Sequence, residues 1–308
     1  MKVIFLGTPD FGIPALQQIM EKHQLLACVC QPDRIGARGK VEFCAVKNFA
    51  LKHNVPLYQF EKVSRDGVET LKSLAPDIMV TAAYGQILSQ EVIDIPKYGI
   101  INIHGSLLPE LRGASPIQSA LLQGFTRTGV TILQTVKAVD AGDMILQKSL
   151  DILPYENCGE LFERLSVLGA EAIVEALDRI ENGTVTYTPQ DESLATFTKK
   201  LTAEQEKIDW SKSAVEIVNL VRALSPEIGA YVVWNNQHLK FFDLRLCDEV
   251  FTGRPGEVVE CGKKRLIVTC GDGVAVSVLK LQLQGAKKMD ISSFLCGKKI
   301  PVGTVFGE

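Results

Sequence analysis

Short apolar runs recur through the first half of the chain, separated by stretches in which apolar residues return every three or four positions. KVIFLG (2–7), LLACVCQ (25–31), VPLYQ (55–59), DIMVTAAYG (77–85) and GIINIHG (99–105) read as strands, and 9–22, 41–54 and 65–74 read as helices between them. Strands that are apolar on both faces and joined by helical crossovers form a parallel sheet covered on both sides. This half therefore predicts a doubly wound, Rossmann-like α/β domain with a mostly parallel sheet. GVTILQTV (129–136) and DMILQKSL (143–150) add two strands, and an amphipathic helix over 157–182, stopped by Gly183, closes the domain.

From about residue 189 the pattern breaks into the polar, threonine-rich QDESLATFTKKLTAEQEK, which reads as a connector. After a helix over 213–224, AYVVW, HLKFFDLRL, GEVVECG and RLIVTCGDGVAVSVLKLQ are strand-like, and strands this short and close predict a small β-barrel or sandwich. The expected domains are 1–188, a linker at 189–205, and 206–308.

Composition fits a soluble globular protein, with 46% hydrophobic and 22% charged residues, and no run is long enough to span a bilayer. The N-terminal apolar run is too short for a signal peptide and lacks the arginine-rich look of a transit peptide, so a bacterial cytoplasm is the expected compartment. The eight scattered cysteines show no C-x-x-C pair, and reduced thiols are expected. The net charge of −3 hides a split: residues 1–206 carry a net −6 and residues 207–308 a net +3. Such asymmetry suits a chain whose C-terminal part meets a polyanion. The basic runs Lys263 to Arg265, Lys287 with Lys288, and Lys298 with Lys299 could be phosphate contacts or a solvated face.

Several familiar chemistries find no support. FLGTPDFG supplies Gly7 and Gly12 but no G-x-G-x-x-G, and no phosphate-cradling G-x-x-x-x-G-K-[ST] occurs. Ser106 in HGSLL lacks the following glycine of a nucleophile elbow. His23, His53, His104 and His238 lie far apart, so no metal site is expected.

Asn102 and His104 remain. Residues at i and i+2 of a strand share a face, so amide and imidazole project together, with Ile101 and Ile103 on the other face. They lie at the carboxyl end of a parallel strand, where open α/β sheets bind ligands, and Gly105 lets the chain turn there. KAVDAGDMILQ offers Asp140 or Asp143 as a third group, and the spacing leaves the choice between them open. Amide, imidazole and carboxylate together suit addition to a carbonyl without a covalent enzyme intermediate. The amide and imidazole would stabilise an oxyanion, and the carboxylate would orient the imidazole and relay a proton.

GTPDFG, QPDR with RGK, AYGQILS, INIHGSLLPELRGASPIQ, GVTILQ and DAGDMILQ, in this order and spacing, resemble the folate-dependent formyltransferases. The likeness continues through KIDWSKSA and GDGVAVSVLKLQ, so it covers nearly the whole chain. The resemblance implies that Asn102, His104 and Asp140 are the catalytic trio. It also implies that 10-formyltetrahydrofolate is the formyl donor and that no metal takes part. Ser106, Leu107, Leu108 and Pro109 would border the folate pocket, with Ile87 and Leu88 in the loop facing the pterin. A monomer is implied that formylates the free amine of initiator methionyl-tRNA, with Arg34, Arg38 and Lys40 contacting the acceptor arm and an OB-like C-terminal barrel contacting the tRNA. The chain departs from many family members after Lys40, where VEFCAVK makes the loop less basic.

Overall fold

The computed structural model describes residues 1–35, 39 and 41–307. The chain forms two compact units, one of Met1–Pro116, Arg127–Asp151 and Phe162–Thr198, the other of Ile117–Thr126, Ile152–Leu161 and Lys199–Glu308. Along the chain β1 (Lys2–Gly7), a 3-10 turn and α1 (Ile13–Lys22) lead to β2 (Gln24–Cys30), then to a hairpin of β3 (Arg34–Ile35) and β4 (Val41–Glu42). α2 (Ala45–Lys52), β5 (Leu57–Gln59), α3 (Val68–Ser73), β6 (Ile78–Ala82), α4 (Gln90–Ile93) and β7 (Ile100–His104) follow. Next come β8 (Arg112–Gly113), α5 (Pro116–Leu122), β9 (Arg127–Gln134), β10 (Met144–Asp151), α6 (Cys158–Glu181) and β11 (Phe197–Thr198), which pairs with β8.

The first unit is built on a seven-stranded sheet in the order β10-β9-β7-β6-β1-β2-β5. β1, β2, β5, β6 and β7 are parallel, as expected for strands joined by helical crossovers. β9 runs antiparallel to β7, and β10 antiparallel to β9, because the connection between β9 and β10 is too short for a crossover. From β1 the chain winds one way to β2 and β5, then returns to the other side for β6 and β7. The order thus reverses between β1 and β6, and a crevice opens there at the carboxyl edge.

One face of the sheet packs Ile4, Leu6, Val29, Met79 and Ile100 with Val68, Leu71 and Val92. On the other, Ile103 meets α6, where a methyl added at Gly169 would lie 3.0 Å from its side chain. Asn102 and His104 have the parity of Ile100. Gly7 and Gly12 have a packing role: an added methyl would come within 2.7 Å and 2.6 Å of the Phe5 ring, respectively, and at Gly7 within 3.0 Å of the Ala82 carbonyl.

Three helices start later than the periodicity suggests, and the first, α1, begins at Ile13 after the 3-10 turn over Asp10–Gly12. Val41 and Glu42 pair with Ile35 and Arg34, so α2 begins only after Cys44, whose Sγ accepts the Lys47 amide hydrogen at 3.4 Å. α3 begins at Val68, after a π-helical turn over Val63–Gly67.

The second unit contains α7 (Ala214–Leu224), β12 (Ala230–Trp234), β13 (Gln237–Leu246), β14 (Val258–Cys261), β15 (Leu266–Thr269), β16 (Ala275–Leu283), β17 (Met289–Asp290) and α8 (Ile291–Gly297). Its strands pair antiparallel in the order β12-β13-β16-β15-β14, with β17 on β16. Among the described residues no ladder joins β12 to β14, so the pairing is that of an antiparallel β domain rather than a closed barrel. A capping box at Ser213 and Glu216 starts α7, and Trp210, Phe241 and Phe306 form an aromatic cluster in the core.

The contacts at Gly7 give a direct expectation. Gly7→Ala should lower unfolding stability in urea by about 1–3 kcal/mol through overpacking. Gly262→Ala, where nothing lies within 4 Å of the added methyl, should leave the midpoint in place; equal midpoints for the two variants would refute the packing role.

Candidate active site

β7 ends with Asn102 and His104 side by side, and the turn after β9 brings Asp140 to them. The Asp140 carboxylate meets three groups: Oδ1 lies 3.4 Å from Asn102 Nδ2, while Oδ2 lies 3.5 Å from His104 Nδ1 and accepts the Gly113 amide hydrogen at 2.8 Å. Asp143 makes none of these contacts; its backbone carbonyl accepts the Gln134 amide hydrogen at 2.9 Å. The alternative left open by the spacing is thus resolved in position: Asp140 is the carboxylate beside the pair.

Each member of the trio is oriented by a group behind it. Thr81, on β6, donates its hydroxyl to Asn102 Oδ1 at 2.8 Å, which turns the amide's NH2 toward Asp140. His104 is buried, and its Nε2 lies 3.0 Å from the Leu111 carbonyl. A carbonyl can only accept, so Nε2 carries a hydrogen and Nδ1 is the nitrogen left facing the carboxylate. Two acceptors would oppose each other there, so Nδ1 and Oδ2 are complementary when one proton lies between them.

Asp140 itself has a φ of +50°, in the left-handed region that aspartate tolerates better than most residues. Gln190 fixes this turn by donating Nε2 to the carbonyls of Asp140 and Gly142, both at 2.8 Å. Gln190 is held in turn by Arg112, whose Nε donates to its Oε1 at 3.0 Å, and whose two terminal nitrogens bind Glu192 at 2.9 and 2.7 Å. Arg112 is only 2% exposed, so it needs these partners. Its guanidinium holds the Glu192 carboxyl below the usual carboxylate range. Neither Arg112 nor the Gln190–Glu192 pair stands out from the sequence; a polar threonine inside the apolar β6 was the available signal for Thr81.

The turn after His104 is tied to β9 and β10. Thr131 donates its hydroxyl to the Ser106 carbonyl at 2.7 Å and accepts the Leu108 amide hydrogen at 3.0 Å, while Gln147 donates to the Leu108 carbonyl at 2.9 Å. Ser106 is buried, and its hydroxyl donates to the Glu110 carbonyl at 2.7 Å. Leu108 is buried, whereas Leu107 and Pro109 are partly exposed. In the loop after β6, Leu88 packs into the core and Ile87 is 83% exposed.

A cleft of about 530 Å³ lies at the carboxyl ends of β1, β2 and β6, lined by Thr8, Gln31, Asp33, Arg34, Phe43 and Tyr84 among others. Thr8 Oγ1 and Gln31 Nε2 both donate to the Tyr84 carbonyl, at 3.3 and 3.0 Å. The buried Tyr84 hydroxyl has no hydrogen-bond partner among the described residues, and burial raises its pKa. Hydrogen bonds from Lys47 and Gln59 hold the Asp33 carboxyl below its usual range. Arg34 is exposed on the β3–β4 hairpin; Arg38 and Lys40 lie outside the described residues. Among the described residues no cluster of three or more His, Cys, Asp or Glu could hold a metal ion, and no helix is long and apolar enough to cross a membrane.

Comparison with known proteins gives a consistent picture. The family model described as "Formyl transferase" matches residues 1–177, and that described as "Formyl transferase, C-terminal domain" matches residues 200–299. The methionyl-tRNA formyltransferase of Agathobacter rectalis is 41% identical over 309 residues, covering 99% of both chains. That of Bacillus subtilis is also 41% identical, over 99% of this chain and 98% of the relative. Among solved structures, an N-formyltransferase from Helicobacter canadensis, in complex with folinic acid and dTDP-3-aminofucose, has a TM-score of 0.70 at 18% identity, covering 90% of this chain and 98% of its own. The methionyl-tRNA formyltransferase from Clostridium thermocellum has a TM-score of 0.56 at 17% identity, over 81% of this chain and 94% of its own. Those two likenesses speak to the fold alone, but the sequence relatives span both proteins end to end: this chain belongs to the methionyl-tRNA formyltransferase family of formyl transferases.

Proposed function

We propose that the protein transfers the formyl group of 10-formyltetrahydrofolate to the free amine of initiator methionyl-tRNA, through a tetrahedral intermediate that is never bonded to the enzyme. The observation that carries this reading is the convergence of Asn102, His104 and Asp140 at the carboxyl end of β7, in a chain about 40% identical along its length to proteins named for this activity.

The chemistry follows from the donors available. The amine nitrogen adds to the formyl carbon, and the carbonyl electron pair moves to oxygen. Asn102 Nδ2 and His104 Nδ1 are the two donors whose partner, the Asp140 carboxylate, stands at long range, so they can turn to the new oxyanion. Asp140 takes the proton that the attacking nitrogen loses, and collapse of the intermediate breaks the bond to N10, which leaves with a proton relayed through the same pair. No serine or cysteine nucleophile is needed; the Ser106 hydroxyl is already committed to the Glu110 carbonyl.

In this reading Ser106, Leu107, Leu108 and Pro109 form one wall of the folate pocket, and Ile87 and Leu88 belong to the loop facing the pterin. Arg34, with Arg38 and Lys40, contacts the acceptor arm. The antiparallel C-terminal domain serves as an OB-like module for tRNA, in keeping with its positive charge balance. All three reacting side chains come from one unit of one chain, which supports action as a monomer. The relatives are bacterial, and we take the bacterial cytoplasm as the compartment.

Formyl transfer from 10-formyltetrahydrofolate should be fast with charged initiator tRNA and weak with a dTDP-linked amino sugar. Transfer to the sugar amine with none to any charged tRNA would overturn the acceptor assignment. His104→Ala should lower turnover about 10²–10⁴-fold while folate binding survives, and near-normal turnover would remove the imidazole from the reaction. Thr81→Val, close to isosteric, should lower kcat on the order of 10-fold or more by freeing the Asn102 amide. A change confined to KM would instead assign Thr81 to substrate binding.

A further inference from the structure

A cavity of about 240 Å³ lies within the second unit, and none of its lining residues belongs to the site of Asn102, His104 and Asp140. Four cations line it, Arg222, Arg245, Lys280 and Lys288, against two carboxylates, Glu160 and Asp243. Both carboxylates already have partners. Asp243 pairs with Arg245 at 3.0 Å, and Arg245 also lies 4.3 Å from the Tyr155 ring centre; Glu160 accepts the Asn157 amide hydrogen at 2.9 Å.

The other three cations are held less closely: Lys280 and Lys288 are exposed, and the charge of Lys280 acts on the Asp243 carboxylate. Arg222 donates Nε to Asn219 Oδ1 at 2.9 Å. Lys288 donates to the Pro226 carbonyl and stands 4.0 Å from the Phe242 ring centre. Among the described residues, none of Arg222, Lys280 and Lys288 makes an ion pair within 4 Å. Burial disfavours the charged form of Arg222, offset in part by the field of Glu156, whose carboxylate accepts the Leu153 amide hydrogen at 2.8 Å.

Four cations against two carboxylates leave the cavity lining net positive, and an anion entering it beside the half-buried Arg222 would offset that excess. A guanidinium fork beside two ammonium groups offers more donors than the two oxygens of a carboxylate can take up, but suits the several oxygens of a phosphate. The volume is several times the roughly 30 Å³ share of one water, enough for a phosphate with part of its ester.

We propose that this cavity is a phosphate-binding site, with Arg222, Lys280 and Lys288 as its ligands. The phosphate belongs either to a free phosphorylated molecule or to the tRNA backbone; the second source rests on the tRNA reading above.

The test uses the full chain in two arms. In the first, sodium pyrophosphate is compared with sodium chloride at matched ionic strength for its effect on the unfolding temperature. A rise of about 2–4 °C beyond the salt control is expected at saturating ligand, lost in Arg222→Met and in the more exposed Lys280→Met. The second arm measures charged-tRNA binding against salt concentration, where each variant should reduce the logarithmic slope by about 1 if the site takes a backbone phosphate. A pyrophosphate shift with an unchanged slope assigns a free phosphorylated molecule, and a reduced slope assigns the tRNA backbone. A pyrophosphate shift in a protein that binds no charged tRNA would refute the tRNA reading and leave the phosphate site standing. No shift beyond the salt control, together with an unchanged slope in both variants, overturns the proposal.

Discussion

The Asp140 carboxylate faces the Asn102 amide, the His104 imidazole and the Gly113 backbone N–H at once, and the rest of the site depends on where it stands. Its firm contact is with Gly113, whereas those to the amide and the imidazole are long. An acceptor that holds two donors loosely keeps them aimed without satisfying them, which suits the oxyanion-binding role proposed for them.

Holding Asp140 there recruits residues from distant parts of the first unit. Its left-handed backbone is fixed by Gln190, which is fixed by Arg112, whose guanidinium closes on Glu192. On the other side Thr81 sets the amide and the Leu111 carbonyl sets the imidazole. The sheet supplies the frame: β6 and β7 lie side by side, so Thr81 and Asn102 are direct neighbours in register. The order reverses between β1 and β6, where the adjoining cleft opens. Topology and the geometry of the candidate site thus meet in the same few residues.

Much of this was legible in the sequence, for identifiable reasons. The five parallel strands were visible because burial on both faces leaves unbroken apolar runs, and Asn102 and His104 stood out as polar residues ending one of them. The choice of Asp140 over Asp143 was invisible to spacing alone and came from the family resemblance; the turn after β9 puts Asp140, not Asp143, beside the pair. Gln190 and Glu192 lie in a stretch with no apolar period, and Arg112 looks like an ordinary surface arginine; long-range polar networks leave no periodic trace. The starts of α2 and α3 were misplaced because a two-residue hairpin and a π-helical turn override local helix preference. Closure of the C-terminal strands, a matter of pairing rather than pattern, was likewise beyond periodicity.

The role proposed for His104 depends on Nδ1 being the nitrogen that faces Asp140, which nitrogen NMR of 15N-histidine-labelled protein reads directly through the ring's tautomer, with His104→Ala identifying the signal among the four histidines. Hydrogen on Nε2, facing the Leu111 carbonyl, with Nδ1 turned toward Asp140, is the expected result. A neutral ring with its hydrogen on Nδ1 and a bare Nε2 would contradict it.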